Sequence, residues 1–229
     1  MIGLADQYTV CYPEKDIIFV CLSGNAGNPL TREMTMANLE DLIINEISDT
    51  PLEEDRESLD ELNKLISGLE LRHITGAADS PFREELNCSE YVCEENPMGI
   101  RRFWFEFKDK TEGELHFENE QGYKVIPFGV NHNVFGKFPQ YGYSNEYGGL
   151  KTTDGFLYDD AVSFAWLEEK KLMLFVQVID RYFGNASLSF AFKGDEAYVQ
   201  FRKIAENFMQ EYDGNLIAKR TLKKTENNL

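Results

Sequence analysis

The stretch KLMLFVQVID, residues 171–180, decides the fold together with SLSFAF at residues 187–192. In the first of these, every second residue forms one apolar face that includes Leu172, Leu174 and Val176. Successive side chains of a β-strand point to opposite faces, so a period of two residues predicts strands. Upstream, residues 135–155 combine aromatic residues with glycines, and we expect a loop at the mouth of the structure that the strands build.

Comparable strands are predicted at nearly even spacing on both sides of this stretch, with turn residues between them. They are expected at residues 91–94, 101–107, 114–118, 123–128, 149–157, 161–167, 171–180, 186–192 and 197–202. Eight to nine short strands spaced in this way indicate an antiparallel barrel or sandwich. We expect a lipocalin-like antiparallel β-barrel of about eight strands over residues 89–214. An amphipathic turn at 205–212 would flank it, and the polar tail 215–229 is expected to fray.

The N-terminal part is predicted to contain a hairpin and two helices. Residues 7–12 and 17–23 are short apolar strands joined by a four-residue turn. A first helix is expected over residues 31–47. A capping box at residues 50–53 predicts a second helix, with a start nearer Asp55 as the alternative and an end around Gly68. The predicted fold class is therefore α+β, with a short β-hairpin and two helices followed by the barrel.

The charge balance limits the classes of partner. The chain has 40 acidic and 23 basic residues and a formal net charge of -17, which repels phosphate backbones and anionic lipid surfaces. No apolar window approaches the length of a membrane span. We therefore expect no nucleic acid and no membrane among the partners.

The cysteines and histidines predict no metal site and no cofactor. None of the four cysteines forms a C-x-x-C pair, and the three histidines are scattered: Cys11, Cys21, Cys88, Cys93, His73, His116 and His132. Free thiols are typical of a reducing compartment, so the expected location is cytoplasmic.

Several longer words of the sequence resemble a known family. They are QYTVCYPEKDIIFVCLSGNAGNP at 7–29, EENPMG at 94–99, FPQYGY at 138–143, DGFLY at 154–158, IDRYFGN at 179–185 and AENF at 205–208. The first resembles the end of the catalytic domain in bacterial class C β-lactamase-like serine hydrolases, and the others resemble the accessory domain that follows it. The resemblance implies that residues 1–50 are a remnant of the hydrolase domain, 51–88 a helical connector and 89–214 the accessory barrel.

The catalytic parts of that family do not occur here. Those hydrolases use a nucleophilic serine and a lysine in S-x-x-K, together with Tyr-x-Asn and a K-T-G-like strand. No S-x-x-K occurs in the chain. Because nucleophile and base act as a unit, we expect the chain not to be an enzyme.

The candidate ligand-binding residues lie around the predicted barrel mouth. Aromatic rings there could stack on a ligand, and an arginine could pair with it: Tyr141, Tyr143, Tyr147, Tyr158, Trp166 and Arg181. The alternative is that the aromatic rings fill the barrel, as in most barrels of about eight strands. The acidic pairs at 94–95, 159–160 and 168–169 are interpreted as turn and edge charges, because neighbouring strand residues face opposite ways.

These observations predict a non-catalytic accessory or binding domain of a serine hydrolase. A stand-alone lipocalin-like binder of a small molecule and a subunit that completes a hydrolase site in trans are the alternatives. Residues 1–48 would otherwise leave apolar surface uncovered. They are therefore expected to contact a catalytic domain, to pack on the helix with Leu59, or to form a homodimer.

Overall fold

A computed structural model describes residues 3, 6–23, 30–48, 50–51, 53–141, 157–180, 183–204 and 212–221. By their contacts, the residues fall into two units, Met1–Leu71 and Arg72–Leu229. The boundary between the two units lies inside the predicted connector. Each unit is described by itself below.

The first unit contains the predicted hairpin and two helices. Its elements are β1 (Tyr8–Tyr12), β2 (Ile17–Cys21), α1 (Leu30–Leu39) with a π-helical turn over Glu40–Ile44, and α2 (Arg56–Ser67). β1 and β2 pair antiparallel across a 3-10 turn at Pro13–Lys15. Helix α2 begins at the later of the two predicted starts and not at the capping box of residues 50–53. The Asp55 side chain caps it by accepting a hydrogen bond from the Ser58 N–H at 3.1 Å.

The apolar residues of this unit remain largely uncovered. Ile18 and Val20 of β2 are 70% and 56% exposed, and the apolar side chains of α2 are exposed as well. The expectation that the hairpin segment packs on α2 through Leu59 is therefore wrong. The two apolar faces stay separate, since Leu59 itself remains exposed.

The second unit is the barrel. Its elements are α3 (Arg83–Leu86), β3 (Tyr91–Cys93), β4 (Arg102–Phe107), β5 (Glu112–Asn119), β6 (Gly122–Val130), β7 (Val134–Tyr141), β8 (Leu157–Glu168), β9 (Lys171–Ile179), β10 (Phe183–Lys193), β11 (Glu196–Ile204) and β12 (Gly214–Arg220). Neighbours in the sheet order β6-β5-β4-β3-β12-β11-β10-β9-β8-β7 pair antiparallel. A short parallel pairing of β6 with β8 closes nine of these strands into a ring. The predicted lipocalin-like antiparallel barrel is confirmed.

Two strands lie where the sequence predicted other structure. β7 occupies the first part of the predicted aromatic loop, and it pairs with β8 through Val134–Val162 and Gly136–Asp160. β12 occupies the start of the predicted polar tail, and it pairs with β11 on one side and β3 on the other. Its period-two pattern is short, with Leu216 and Ala218 buried and charged residues at the end. The rest of the loop, at 142–156, and most of the turn at 205–212 lie outside the described residues.

The barrel interior is packed with aromatic rings from alternate strand positions. These inward residues include Tyr91, Phe103, Phe105, Phe117, Phe128, Phe164, Trp166, Phe190 and Phe201. Phe128 and Phe164 stack with ring centres 4.6 Å apart, and Phe105 meets Phe190 edge to face at 5.1 Å. Such ring pairs add stability beyond the area that they bury. The central residues of β4, β8 and β10 are therefore expected to carry much of the stability of the barrel.

Replacing Phe105 or Phe190 by alanine should lower the free energy of unfolding by about 3–5 kcal/mol, because each change leaves a cavity in a closely packed core. Urea denaturation of the whole chain measures the loss. Phe135, which is 65% exposed on β7, provides the control, and Phe135→Ala should change stability far less. Equal losses for all three variants would contradict the assignment of the interior.

Candidate functional site

The structure describes only some of the predicted mouth residues. Tyr158 and Trp166 both lie on the inward face of β8, and each is 1% exposed. Tyr141 is the last residue of β7, and its side chain lies outside the described residues, as do Tyr143, Tyr147 and Arg181. The convergence of all six side chains on one ligand stays a prediction. The two that are described form part of the core.

One part of the barrel interior is closely packed by the described side chains. The space between Phe103, Phe117, Phe190 and Phe201 holds no volume that a water molecule could occupy. Aromatic and aliphatic side chains thus fill this part of the lumen. Whether the predicted mouth aromatics close the end of the barrel stays a prediction. A ligand held deep between these rings would have to displace them.

One inward position of β8 carries a carboxylate instead of a ring. Asp160 lies between Tyr158 and Val162 on the same face, opposite Gly136 of β7, and is 1% exposed. Among the described residues, neither carboxylate oxygen has a hydrogen-bond partner. Space for the carboxylate depends on the glycine, since a Cβ at Gly136 would lie only 3.1 Å from the Asp160 Oδ1.

Burial controls the protonation of this group. It raises the pKa of Asp160 to about 7, and the charge of Asp159 adds to that increase. The Gly136 N–H approaches the carboxylate and lowers its pKa in part, without the geometry of a full hydrogen bond. A buried acid with such a pKa is a recognised mark of a functional site. It can hold a proton or, when ionised, a positively charged group.

The sequence interpretation of Asp159 and Asp160 as turn charges is wrong. Both lie within β8, where Asp159 points outward and its carboxylate lies 2.6 Å from the Lys137 Nζ. Asp160 points inward because the strand alternates. The sequence did contain a signal that Asp160 points inward. Asp160 lies at the alternate position between Tyr158 and Val162, on the apolar face that continues to Phe164.

The outer surface of the barrel has a concave region that the sequence analysis did not identify. It has a volume of about 520 Å³ and lies over β10, β11 and β12. Its lining combines outward apolar and polar side chains, among them Ser189, Ala191, Tyr198, Gln200, Asn215 and Ile217. The volume lies within the usual range of small-molecule sites, about 300–1,000 Å³. Residues of five adjacent strands, β8 to β12, line this region, so no local sequence pattern marks it.

A cluster of three side chains has the donor atoms of a metal site, although the sequence predicted no metal site. The carboxylates of Glu106 and Glu114 and the imidazole of His116 each offer an atom within 4.8 Å of the others. They come from β4 and β5, which pair directly at Glu106–Glu114. The strand pairing, and not spacing along the chain, brings these residues together.

The comparisons with known proteins find likenesses among solved structures alone. No protein-family model matches the chain, and no curated protein is significantly similar to it. One solved structure with a related course of the chain is the fatty-acid-binding protein isolated from Manduca sexta. It is 8% identical, with a TM-score of 0.35, and the match covers 60% of this chain and 99% of that protein. A likeness at this level carries no argument about function.

The class of protein therefore rests on the strand order. That order defines an antiparallel, lipocalin-like barrel, and aromatic rings pack the described part of its interior. The resemblance to serine hydrolases stays a prediction. None of the helices in the described part of the chain is both long and apolar enough to cross a membrane.

Asp160→Asn should change the pH dependence of stability. The pKa of Asp160 in the folded chain, about 7, lies above its ordinary value of 3.8, so the folded state binds this proton more tightly than the unfolded state does. The resulting stabilisation of the fold is complete below about pH 4 and is lost as the pH rises through 7. The shift corresponds to roughly 4 kcal/mol at most. The stability of the variant relative to the unchanged chain should therefore be higher at about pH 8.5 than at about pH 5. Urea denaturation of both proteins at both pH values measures this difference.

Asp159→Asn provides the control, because it removes the neighbouring outward charge and leaves the buried carboxylate in place. Its pH profile should keep most of the slope of the unchanged chain, because burial is the main cause of the raised pKa of Asp160 and the charge of Asp159 is a smaller one. If Asp160→Asn also keeps that slope, the buried carboxylate does not titrate as described.

Proposed function

We propose that the barrel is a non-catalytic binding module for a small organic cation, which it holds at the end of the barrel around Asp160. The observation that carries this proposal is the buried carboxylate without a hydrogen-bond partner among the described residues. An ionised carboxylate in an apolar interior costs free energy unless a positive group compensates it. A cationic ligand would supply that compensation.

The neighbouring side chains support a cation as the ligand. Phe138 lies two residues beyond Gly136 on β7, and its ring is 5.1 Å from that of Tyr212. Tyr158 precedes Asp160 by two residues on the inward face of β8. Aromatic faces attract organic cations, and the attraction grows when the cation is desolvated. A fatty acid would fit less well. Its carboxylate would lie beside the negative group of Asp160, and its chain would meet an interior filled by side chains.

The absence of a catalytic serine and lysine pair in the sequence supports a binding function over hydrolysis. Recognition of a small molecule by a barrel needs no nucleophile, only shape and a few placed polar groups. The outer concave region over β10–β12 is the alternative place for such a ligand, and its volume of about 520 Å³ favours it.

A second candidate function is that of an accessory segment in a larger hydrolase. Its support is the apolar surface of the first unit, where Ile18 and Val20 of β2 face outward together. A two-stranded sheet is marginal in water by itself, and exposed strand edges favour pairing with another chain or sheet. A catalytic domain or a second copy of the chain would cover this face.

Benzyltrimethylammonium is a suitable probe for the first proposal, with phenylacetate and benzyl alcohol as the anionic and neutral counterparts. We expect ligand-observed NMR to detect binding of the cation alone. Because the pKa of Asp160 is about 7, affinity should fall by up to about 100-fold between about pH 8.5 and about pH 5.

Two variants identify the place of binding. Asp160→Asn should abolish binding, whereas Ala191→Trp, which fills the outer concave region, should leave it unchanged. Loss of binding in Ala191→Trp alone would move the site to the outer surface. Equal binding of all three probes, or none, would contradict a cation site.

Light scattering tests whether a second copy of the chain covers the β2 face. If the β2 face is a contact surface, the whole chain should self-associate as its concentration rises, and Val20→Glu should prevent this by placing a charge on the exposed face. Leu167→Glu changes an exposed apolar residue of the barrel and should leave the association unchanged. A monomer at every concentration would exclude the homodimer.

A further inference from the structure

The outer face of β4 and β5 holds a nearly buried histidine among aromatic and acidic side chains. In the pairing of these strands, Trp104 lies opposite His116 and Glu106 lies opposite Glu114. The His116 side chain is only 7% exposed, although it points away from the barrel interior. Its burial comes from its neighbours, because the Trp104 ring stacks on it with centres 5.1 Å apart and planes within 6°.

One ring nitrogen of the histidine has a clear partner. The Nδ1 of His116 is hydrogen-bonded to the Tyr123 hydroxyl of β6. The Tyr123 ring also packs near that of Trp104, with centres 5.8 Å apart. These contacts fix the orientation of the imidazole, so its other nitrogen, Nε2, is held in one direction.

The Nε2 of His116 faces two carboxylates without hydrogen-bonding to either. It lies 3.2 Å from the Glu114 Oε2 and 3.7 Å from the Glu106 Oε2, and it has no hydrogen-bond partner among the described residues. A polar atom that is buried in this way is costly unless something satisfies it.

Other side chains hold the two carboxylates in place through their remaining oxygens. The Trp104 Nε1 donates a hydrogen bond to the Glu106 Oε1 at 2.9 Å. The Lys108 Nζ lies 2.7 Å from the Glu114 Oε1. Each carboxylate is thus anchored on one oxygen, and the other oxygen is directed towards the histidine.

We propose that Glu106, Glu114 and His116 bind a divalent first-row transition ion of the zinc type. Around a tetrahedral zinc with bonds of about 2.0–2.1 Å, ligand atoms lie roughly 3.3 Å apart, and the two Nε2–Oε2 distances fall on either side of that value. Imidazole and carboxylate donors suit zinc, and a metal-bound histidine ordinarily donates its other N–H to an oxygen. The Tyr123 hydroxyl is placed to accept that hydrogen bond.

Three protein ligands leave a fourth position on a tetrahedral ion, and Glu106, whose side chain is 49% exposed, gives that position access from solvent. A water molecule or an anionic group of a partner molecule would complete the coordination. This site uses other residues than the proposed cation site at Asp160. Failure of one proposal therefore leaves the other unaffected.

The test uses the whole chain, freed of metal by a chelator, and titrates it with Zn²⁺ by calorimetry and with Co²⁺ by visible absorption and tryptophan fluorescence. We expect one ion per chain and quenching of Trp104 by Co²⁺, since its ring lies against His116. His116→Gln and Glu106→Gln should each weaken binding by more than the roughly 10- to 100-fold that loss of an outer hydrogen-bond partner costs. Tyr123→Phe should weaken it within that range.

Matched controls separate this site from other ligands. Glu118→Gln removes the same charge from β5 but affects a carboxylate that pairs with Arg102 at 2.8 Å, and it should leave affinity unchanged. His132→Gln removes an imidazole outside the cluster. Glu106→Gln alters a half-exposed side chain, so its effect on binding can be measured even if His116→Gln fails to fold. Binding that survives Glu106→Gln, or the lack of any binding, would overturn the proposal.

Discussion

The barrel depends on two backbone pairings between strands that are distant in sequence. β12 lies between β11 and β3, and β6 reaches β8 through Gly129–Ser163 and Val130–Phe164. The other barrel strands pair with a neighbour in sequence, which local turns can arrange. Without these long-range pairings the sheet would remain open, and its inward rings would face water. Closure is therefore the condition for the aromatic core and for the outer surface that the strands carry.

Closure gives the two faces of each strand opposite environments. Inward residues must be apolar, since the rings of Phe105, Phe164 and Phe190 fill the space that a ligand occupies in a hollow barrel. Asp160 departs from this rule, and its raised pKa follows from its burial. A protein retains such a residue at a cost in stability, and function is the usual reason for a cost of this kind.

The outer face shows a different departure from an ordinary strand surface. His116 is buried there by Trp104 and Tyr123, although the barrel interior lies on the other side of its strand. The stacked rings exclude water from the imidazole, and the neighbouring glutamates bring negative charge to it. Low exposure combined with charge makes electrostatic contacts stronger than on an open surface. Both departures occur on the strands that build the barrel, which hold side chains in position more firmly than loops do.

Local patterns in the sequence predicted most of the strands and the apolar faces of β4, β8, β9 and β10, because side-chain periodicity reflects burial directly. They did not reveal β7 or β12, whose patterns are short and interrupted by glycine or charge and whose pairing partners lie far along the chain. Only the tertiary structure decided that Asp160 is buried and that Glu106, Glu114 and His116 meet. The environment of a strand residue depends on which strand lies beside it, and that pairing is set by closure of the whole sheet.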